Sequence, residues 1–391
     1  MSGGLGVVLS GGGSRGAYEV GVLSYALGDL VRRVGRPPTI NVISGTSVGA
    51  VNGAFLASAI EDVSRGVMRL EALWSELRLG GVMNFGFRQA AGLHRVLLGG
   101  RKASGLFDAS PLAHLVGAGI DWRRIAHNLR EGRLRSLTIS ATKVATGRPT
   151  VFVDRGAGVS LPTLPARQVV VQAARIGPSH ILASAAIPIV FPPVKIGRAL
   201  YCDGGLRLNT PMAPAIHVGV DRLFVIGCSD PHGDAAVVPP DVFPGASFLL
   251  GKVVNAFLLD HLTADLEELE KINGMLRDGI EAFGESYLER INEAAAKRGA
   301  PPKRIVDALA IKPSVDLGVI AAAYLDRGRT RGEERMSRQL LRLIDVGHGA
   351  DADLASYLLF DGVFARELIE LGRRDAAARA DEIETFLYQG S

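Results

Sequence analysis

The sequence predicts an α/β fold with a buried parallel sheet, and three observations near the start of the chain support this prediction. A short apolar run at residues 5–10 ends in glycines, which is typical of a buried parallel strand that leads into a loop. A helical pattern follows and stops before Gly35 and Pro37. A second apolar run, at 39–44, leads into a tight turn and a helix of small residues. Strand, loop, helix, strand, turn and helix in this order indicate α/β architecture.

The composition is that of an ordinary globular protein. The chain has 391 residues, of which 47% are hydrophobic and 21% charged, and its length allows two or so domains with one large core. The net charge of +4 is compatible with a membrane surface or an anionic substrate, and it does not specifically indicate nucleic acid. Two cysteines, Cys202 and Cys228, are too few for a disulfide framework and fit a reducing compartment.

The start of the chain carries no basic region followed by a long apolar stretch, so we expect no signal peptide and a cytoplasmic protein. No charge occurs between Arg36 and Glu61, a length that fits a bilayer. The hydroxyl and amide side chains and four glycines of this segment argue against a membrane span. We therefore predict no transmembrane helix here.

The turn after the second strand reads Gly45-Thr46-Ser47-Val48-Gly49 and fits the G-x-S-x-G pattern of a nucleophile elbow. In such an elbow a serine lies on a strained strand-to-helix turn, so that its hydroxyl projects free of the sheet. Glycines at 45 and 49 allow the turn to be tight and the helix to pack close to the strand. The pattern predicts Ser47 as a catalytic nucleophile.

The loop after the first strand has the residues of an oxyanion-binding site, namely Gly11, Gly12, Gly13, Ser14 and Arg15. Backbone N–H groups at a helix start converge on an anion, which is what an ester carbonyl becomes when serine attacks it. Arg15 has two interpretations: it reinforces this positive field or meets a phosphate, or it is a loop arginine facing solvent.

The same loop also satisfies the G-x-G-x-x-G pattern through Gly11, Gly13 and Gly16, so a nucleotide-binding protein is an alternative. Dinucleotide binding requires an acidic residue about 20 positions further on, at the end of the second strand. No Asp or Glu occurs between Asp29 and Glu61, which disfavours this alternative.

Further strands are predicted downstream, at 134–144, 149–154 and 222–230. Between them, a strand that starts near residue 199 turns sharply at Asp203-Gly204-Gly205. Asn209 and Pro211 are typical of a helix start, as cap and first-turn residues.

Four motifs occur together in one order: the glycine loop at 11–16, the elbow at 45–49, ASAAIPIVFPPV at 183–194 and DGG at 203–205. This set resembles the patatin-like phospholipases over roughly residues 5–230. The resemblance implies a three-layer α/β/α fold with a mostly parallel central sheet, a catalytic dyad of Ser47 and Asp203, and an oxyanion loop at Gly11 to Arg15. It implies phospholipid or lysophospholipid as the favoured substrate class, with other acyl esters next, and no metal or organic cofactor.

A conventional Ser-Asp-His triad of the α/β-hydrolase type stays open as an alternative. Its chain order would be Ser47, Asp203 and then His217 or His232. Neither histidine lies in a recognisable motif.

The predicted domains are a catalytic core at 1–235, a helical insertion at 245–300, a late strand returning to the core within 303–330, and a helical extension at 331–391. Apolar steps of three and four residues predict a long helix in the insertion, which Gly274, Gly279 and Gly284 are expected to break or bend. Packing on the core is the favoured role of the C-terminal helices. A lid over the active site and a peripheral membrane contact are the alternatives.

Overall fold

The central feature of the fold is one sheet, which orders the rest of the chain. The computed structural model describes residues 3–78, 108–164, 169–188, 190–229, 262–331 and 352–388. Within these ranges a single nine-stranded sheet is formed. Its strands are β1 (Gly4–Leu9), β2 (Ile40–Thr46), β3 (Ser136–Lys143), β4 (Arg148–Arg155), β5 (Val170–Ala173), β6 (Val194–Ile196), β7 (Ala199–Asp203), β8 (Val220–Ile226) and β9 (Asp307–Ile311).

The strand order across the sheet is β5-β4-β3-β2-β1-β8-β9, with β7 paired to β3 and β6 paired to β7. Strands β3, β2, β1, β8 and β9 are parallel to one another, whereas β4 and β7 are antiparallel to β3. Leu9 at the end of β1 is in register with Gly45 near the end of β2. The loop after β1 and the turn after β2 therefore lie side by side at one edge of the sheet.

Fourteen α-helices accompany the sheet in the described residues. They are α1 (Gly16–Ser24), α2 (Leu30–Val34), α3 (Val48–Ser58), α4 (Val63–Ser75), α5 (Ser110–Gly119), α6 (Trp122–Arg130), α7 (Pro178–Ser184), α8 (Met212–Val218), α9 (Leu262–Phe283), α10 (Ser286–Lys297), α11 (Leu317–Arg331), α12 (Ala352–Leu358), α13 (Gly362–Ala378) and α14 (Ala380–Tyr388).

Both faces of the sheet are buried, because alternate side chains of β1 pack into two different hydrophobic cores. Leu5, Val7 and Leu9 join the larger core with residues of α1, α3, α4 and α13. Val8 faces the other way and packs in a second core with Met212 of α8 and residues of α9. Successive side chains of a strand point to opposite faces. The mostly parallel sheet thus lies between two layers of helices, which is a three-layer α/β/α arrangement. The predicted fold class is confirmed.

Helices α9 and α10 lie between β8 and β9 in the chain. Strand β9 then pairs in parallel with β8. Residues 245–261 of the predicted insertion lie outside the described residues. Contrary to expectation, α9 continues through Gly274 and Gly279. It ends before Gly284, as expected, and that residue has a φ of +80°. A Cβ atom at Gly279 would lie 2.0 Å from the ring of Tyr287, so the missing side chain lets α10 approach α9.

The C-terminal helices pack against the start of the fold. The contact between α13 and α1 is close at two glycines: a Cβ at Gly21 would lie 2.0 Å from the Ile369 carbonyl oxygen, and one at Gly372 would lie 2.3 Å from that of Tyr18. The Tyr18 hydroxyl also donates to Asp375 Oδ2 at 3.0 Å. Residues 332–351 and 389–391 of the predicted extension lie outside the described residues.

Candidate active site

Ser47 lies on a strained turn between β2 and α3. Its φ is +53°, and among the described residues no other non-glycine residue has a positive φ. The neighbouring glycines are required sterically, because a Cβ at Gly45 would lie 2.4 Å from the Gly49 carbonyl oxygen and one at Gly49 would lie 2.4 Å from that of Leu9. The sharp turn predicted from G-x-S-x-G is present, and it is maintained at a cost in backbone strain.

The structure brings Ser47 and Asp203 together although 156 residues separate them. Ser47 Oγ donates a hydrogen bond to Asp203 Oδ2 at 2.7 Å, and both side chains are buried. Strand β3 makes this meeting possible. Its Ser140 is in register with Thr46, and the next residue, Ala141, is in register with Asp203. The end of β2 and the end of β7 therefore meet on β3.

The environment of Asp203 changes its acidity. Burial raises the pKa of the Asp203 carboxyl from 3.8 to about 7, whereas the hydrogen bonds from Ser47 and from the Gly205 N–H lower it. The Gly205 N–H donates to Oδ1 at 2.7 Å, so each carboxylate oxygen has one donor. A carboxyl with a pKa near neutrality is a far better proton acceptor than an ordinary aspartate.

The backbone N–H of Ser47 is already engaged. It donates to Ser184 Oγ at 2.8 Å, and that hydroxyl in turn donates to the Ser140 carbonyl oxygen at 2.6 Å. Ser184 belongs to α7, in the segment where the sequence has ASAAIPIVFPPV. This chain of hydrogen bonds fixes the Ser47 backbone and leaves the neighbouring glycine loop as a source of N–H donors.

The glycine loop passes directly beside Ser47. A Cβ at Gly11 would lie 3.2 Å from Ser47 Cβ, and the Gly11 N–H donates to the Asn209 carbonyl oxygen at 3.1 Å. The Asn209 side chain donates to the Gly11 carbonyl oxygen at 3.4 Å. In the part of the chain that the structure describes, the N–H groups of Gly12 and Gly13 have no protein acceptor.

The expectation for Asn209 and Pro211 as cap and first-turn residues is wrong. Helix α8 begins at Met212, its N-cap position is Pro211, and no side chain caps it. Asn209 instead forms two hydrogen bonds with Gly11 of the glycine loop. No local pattern distinguishes this role from that of an ordinary helix start.

The side chains of Ser14 and Arg15 bind the C-terminal part of the chain. Ser14 Oγ donates to the Ser356 carbonyl oxygen at 2.5 Å, and Arg15 Nε donates to Ser356 Oγ at 2.7 Å. Arg15 also donates to the Tyr357 hydroxyl at 3.1 Å, and its guanidinium carbon lies 3.9 Å from the centre of that ring. We call Ser356 and Tyr357 the C-terminal clamp. Arg15 is buried, so the solvent-facing interpretation is wrong.

Gly13 completes this contact. Its φ is +58°, and a Cβ there would lie 2.3 Å from the Tyr357 carbonyl oxygen. The glycine loop thus rests against the C-terminal clamp with no space for a side chain. No pattern in the sequence predicts the clamp, because it joins residues more than 340 positions apart.

Ser47 lies in the wall of an apolar pocket. Apart from Ser47, the described residues that line it are apolar or glycine. Most come from α3, α4, α5 and the segment after α7, and Gly13 and Phe360 also contribute. One wall is Trp74, whose Nε1 donates to Asn52 Oδ1 at 3.0 Å, while the Asn52 amide donates to the buried Glu19. A pocket of this character accommodates a hydrocarbon chain rather than a polar group.

The two alternative sites find little support in this arrangement. Among the described residues, no histidine forms a hydrogen bond with Ser47 or Asp203. His217 is half-buried on α8, its pKa lowered by burial and by the nearby charges of Lys303 and Arg304. His232 lies outside the described residues. The nucleotide alternative lacks its carboxylate, because β2 ends in Thr46.

The chain was compared with known protein families, curated proteins and solved structures. A family model described as patatin-like phospholipase matches residues 7–216, which is more than half of the chain. Among curated proteins, no sequence matches.

Two solved structures are among those similar to this chain, both at low identity. VipD from Legionella pneumophila is 14% identical with a TM-score of 0.32, and the match covers 81% of this chain and 62% of that chain. Human GIVD cytosolic phospholipase A2, in complex with methyl γ-linolenyl fluorophosphonate, is 12% identical with a TM-score of 0.42, and the match covers 98% of this chain and 58% of that one. The chain thus spans less than two thirds of the length of each.

Within the described ranges, every helix is too short or too polar to cross a bilayer.

Proposed function

The chain belongs to the patatin-like phospholipase family, and from this premise we propose that it is a lipid acyl hydrolase in which Ser47 and Asp203 form the catalytic dyad. The observation that carries the proposal is the 2.7 Å hydrogen bond from Ser47 Oγ to Asp203 Oδ2, at the wall of an apolar pocket. The favoured substrates are phospholipids and lysophospholipids, with other acyl esters next.

In the first step Ser47 Oγ attacks the acyl carbonyl carbon while its proton passes to Asp203. The geometry supports this role, because donor and acceptor are within hydrogen-bond distance and burial keeps the carboxyl pKa near 7. The C–O bond of the ester then breaks, and the leaving alcohol takes the proton from Asp203. The products are an acyl-enzyme and an alcohol, which is a lysolipid when the substrate is a phospholipid and a glycerol phosphodiester when it is a lysophospholipid.

The carbonyl oxygen becomes an oxyanion during the attack, and we assign its stabilisation to the N–H groups of Gly12 and Gly13. These donors have no acceptor of their own among the described residues, whereas the N–H groups of Gly11 and Ser47 are engaged. The loss of one oxyanion donor typically lowers kcat about a hundred- to a thousandfold. Ser14 and Arg15 would act through their contacts with the C-terminal clamp rather than on the oxyanion.

The second step releases the fatty acid. Asp203 accepts a proton from water, the water oxygen attacks the acyl carbon, and the bond to Ser47 Oγ breaks as that oxygen regains a proton. The fatty acid tail would occupy the apolar pocket throughout, which keeps bulk water from the acyl chain and orients the carbonyl.

The test is hydrolysis of a defined panel of phospholipids and lysophospholipids, with the products identified by mass. Wild type should release fatty acid, Ser47→Ala should not, and the exposed-serine variant Ser286→Ala should match wild type. A fluorophosphonate probe should label wild type and Ser286→Ala only. Hydrolysis or labelling that persists in Ser47→Ala would assign the reaction to another residue.

A further inference from the structure

Two hairpins next to Asp203 expose an apolar and basic surface. Strand β7 runs outward from Asp203 to the turn that joins it to β6, and the turn between β3 and β4 lies beside it. We call this the hairpin surface, and its residues are Val144, Lys195, Arg198, Leu200 and Arg207.

The apolar part consists of two neighbouring side chains. The Val144 N–H donates to the Leu200 carbonyl oxygen at 2.9 Å, and Lys195 is in register with Leu200 across the hairpin. Residues directly opposite each other in a sheet share a face. Val144 and Leu200 are 47% and 44% exposed, so a pair of aliphatic side chains faces solvent beside a lysine.

The charged part is of one sign. Segments 143–148 and 194–202 contain no acidic residue. Among the described residues, Lys195 and Arg198 form no ion pair, and neither does Arg207, whose guanidinium reaches the turn at Gly147. The surface therefore combines exposed hydrocarbon with cations that have no protein counter-charge in the described ranges.

The hairpin surface is connected to the candidate active site. Leu200 precedes Asp203 by three residues, so their backbones are about 10 Å apart along the strand. A second cavity shares Leu112, Ala185 and Phe191 with the Ser47 pocket and extends to Val194, the first residue of β6. A path with a mainly apolar lining, in which Asp108 and Ser110 are the polar residues described, thus leads from the base of the β6–β7 hairpin towards Ser47.

We propose that the hairpin surface docks on a bilayer containing anionic phospholipid, and that lipid reaches Ser47 along this path. The inference rests on the proposed lipid acyl hydrolase function, for which it names the physical form of the substrate. Charge complementarity selects the partner: cations meet anionic head groups while Val144 and Leu200 enter the boundary of the acyl layer. An acidic protein would satisfy the cations but would leave the two apolar side chains without a role.

The experiment measures co-sedimentation with vesicles of phosphatidylcholine alone and of phosphatidylcholine with phosphatidylglycerol. Ser47→Ala is the background, so that products do not alter the vesicles. Lys195→Glu with Arg198→Glu should weaken binding to the anionic vesicles about thirtyfold. Lys297→Glu with Arg298→Glu makes the same charge change at exposed positions around the end of α10 and should bind as the background protein does.

Leu200→Thr tests the apolar contribution and should weaken binding about threefold or more at high salt, where the electrostatic part is screened. Circular dichroism of each variant, and turnover of a soluble short-chain ester in the Ser47 form, establish that the fold and site are intact.

Equal losses of binding to anionic vesicles in the two double variants would overturn the proposal, because the net charge of the protein alone would then explain binding. Capture by polyglutamate as tight as by vesicles, with no effect of Leu200→Thr, would also overturn it in favour of an acidic protein partner. The proposed function fails separately: specific vesicle binding without any fatty acid release would leave the docking surface standing and refute the hydrolase.

Discussion

Asp203→Asn should stabilise the folded protein in a pH-dependent way. The folded pKa of the Asp203 carboxyl is about 7, above its ordinary value of 3.8, because the group is fully buried. Between these two pH values the unfolded chain releases the proton while the folded protein keeps it. The free energy of unfolding therefore falls as the pH rises from 3.8 to 7, and the stability linked to the protonated carboxyl is lost above that range.

The size of the effect follows from the two pKa values. Their difference corresponds to about 4 kcal/mol of unfolding free energy. Asparagine has nearly the same shape, retains an acceptor for the Gly205 N–H and carries no charge, so the variant should not show this loss. The stability of Asp203→Asn minus that of wild type should grow by about 4 kcal/mol between about pH 4 and pH 8.

Urea unfolding across this pH range measures that difference directly. Asp278→Asn, at an exposed position of α9, makes the same change of side chain and should not follow the same pH course. In parallel, kcat/KM of wild type on a soluble ester should rise with pH to a plateau above about 7, because only the ionised carboxylate accepts the serine proton. If the unfolding free energies of wild type and Asp203→Asn change in parallel with pH, the raised pKa of the Asp203 carboxyl is refuted.

Two further predictions concern the loop and the pocket. Gly13→Ala should lower the free energy of unfolding by more than Gly35→Ala and should lower kcat, since both glycines have positive φ but only Gly13 has an atom, the Tyr357 carbonyl oxygen, within 2.3 Å of a new Cβ. Urea unfolding and ester turnover measure this, and equal costs would contradict it. Phe360→Ala should raise kcat/KM for longer acyl chains relative to shorter ones by enlarging the pocket, whereas Val363→Ala at an exposed position should not. An unchanged chain-length preference would count against the acyl-binding role of the pocket.

The elbow was predictable from sequence because the information is local. A turn with Ser47 at positive φ needs glycines at fixed offsets, and the steric reasons for Gly45 and Gly49 lie within a few residues. The strand periods that predict an α/β sheet are local in the same sense. The contact between Ser47 and Asp203 joins residues far apart in the sequence. It was expected only because four motifs in one order resemble a family.

The C-terminal clamp could not be predicted, because no periodicity or motif links residues 13–15 with 356–357. Arg15 is typical of an exposed loop arginine until its partners are known, and those partners come from the last part of the fold. The behaviour of α9 has a similar cause. Glycine is a poor helix former, but the ring of Tyr287 packs against Gly279, and this tertiary contact outweighs the local preference.

The position of the clamp has a consequence for protein synthesis. A ribosome making this chain releases Ser47 and the glycine loop roughly three hundred residues before it makes the helix against which that loop rests. A nascent chain therefore carries the proposed nucleophile without the residues that support the proposed oxyanion donors. Translation order alone delays the completion of this proposed site until Ser356 and Tyr357 have emerged.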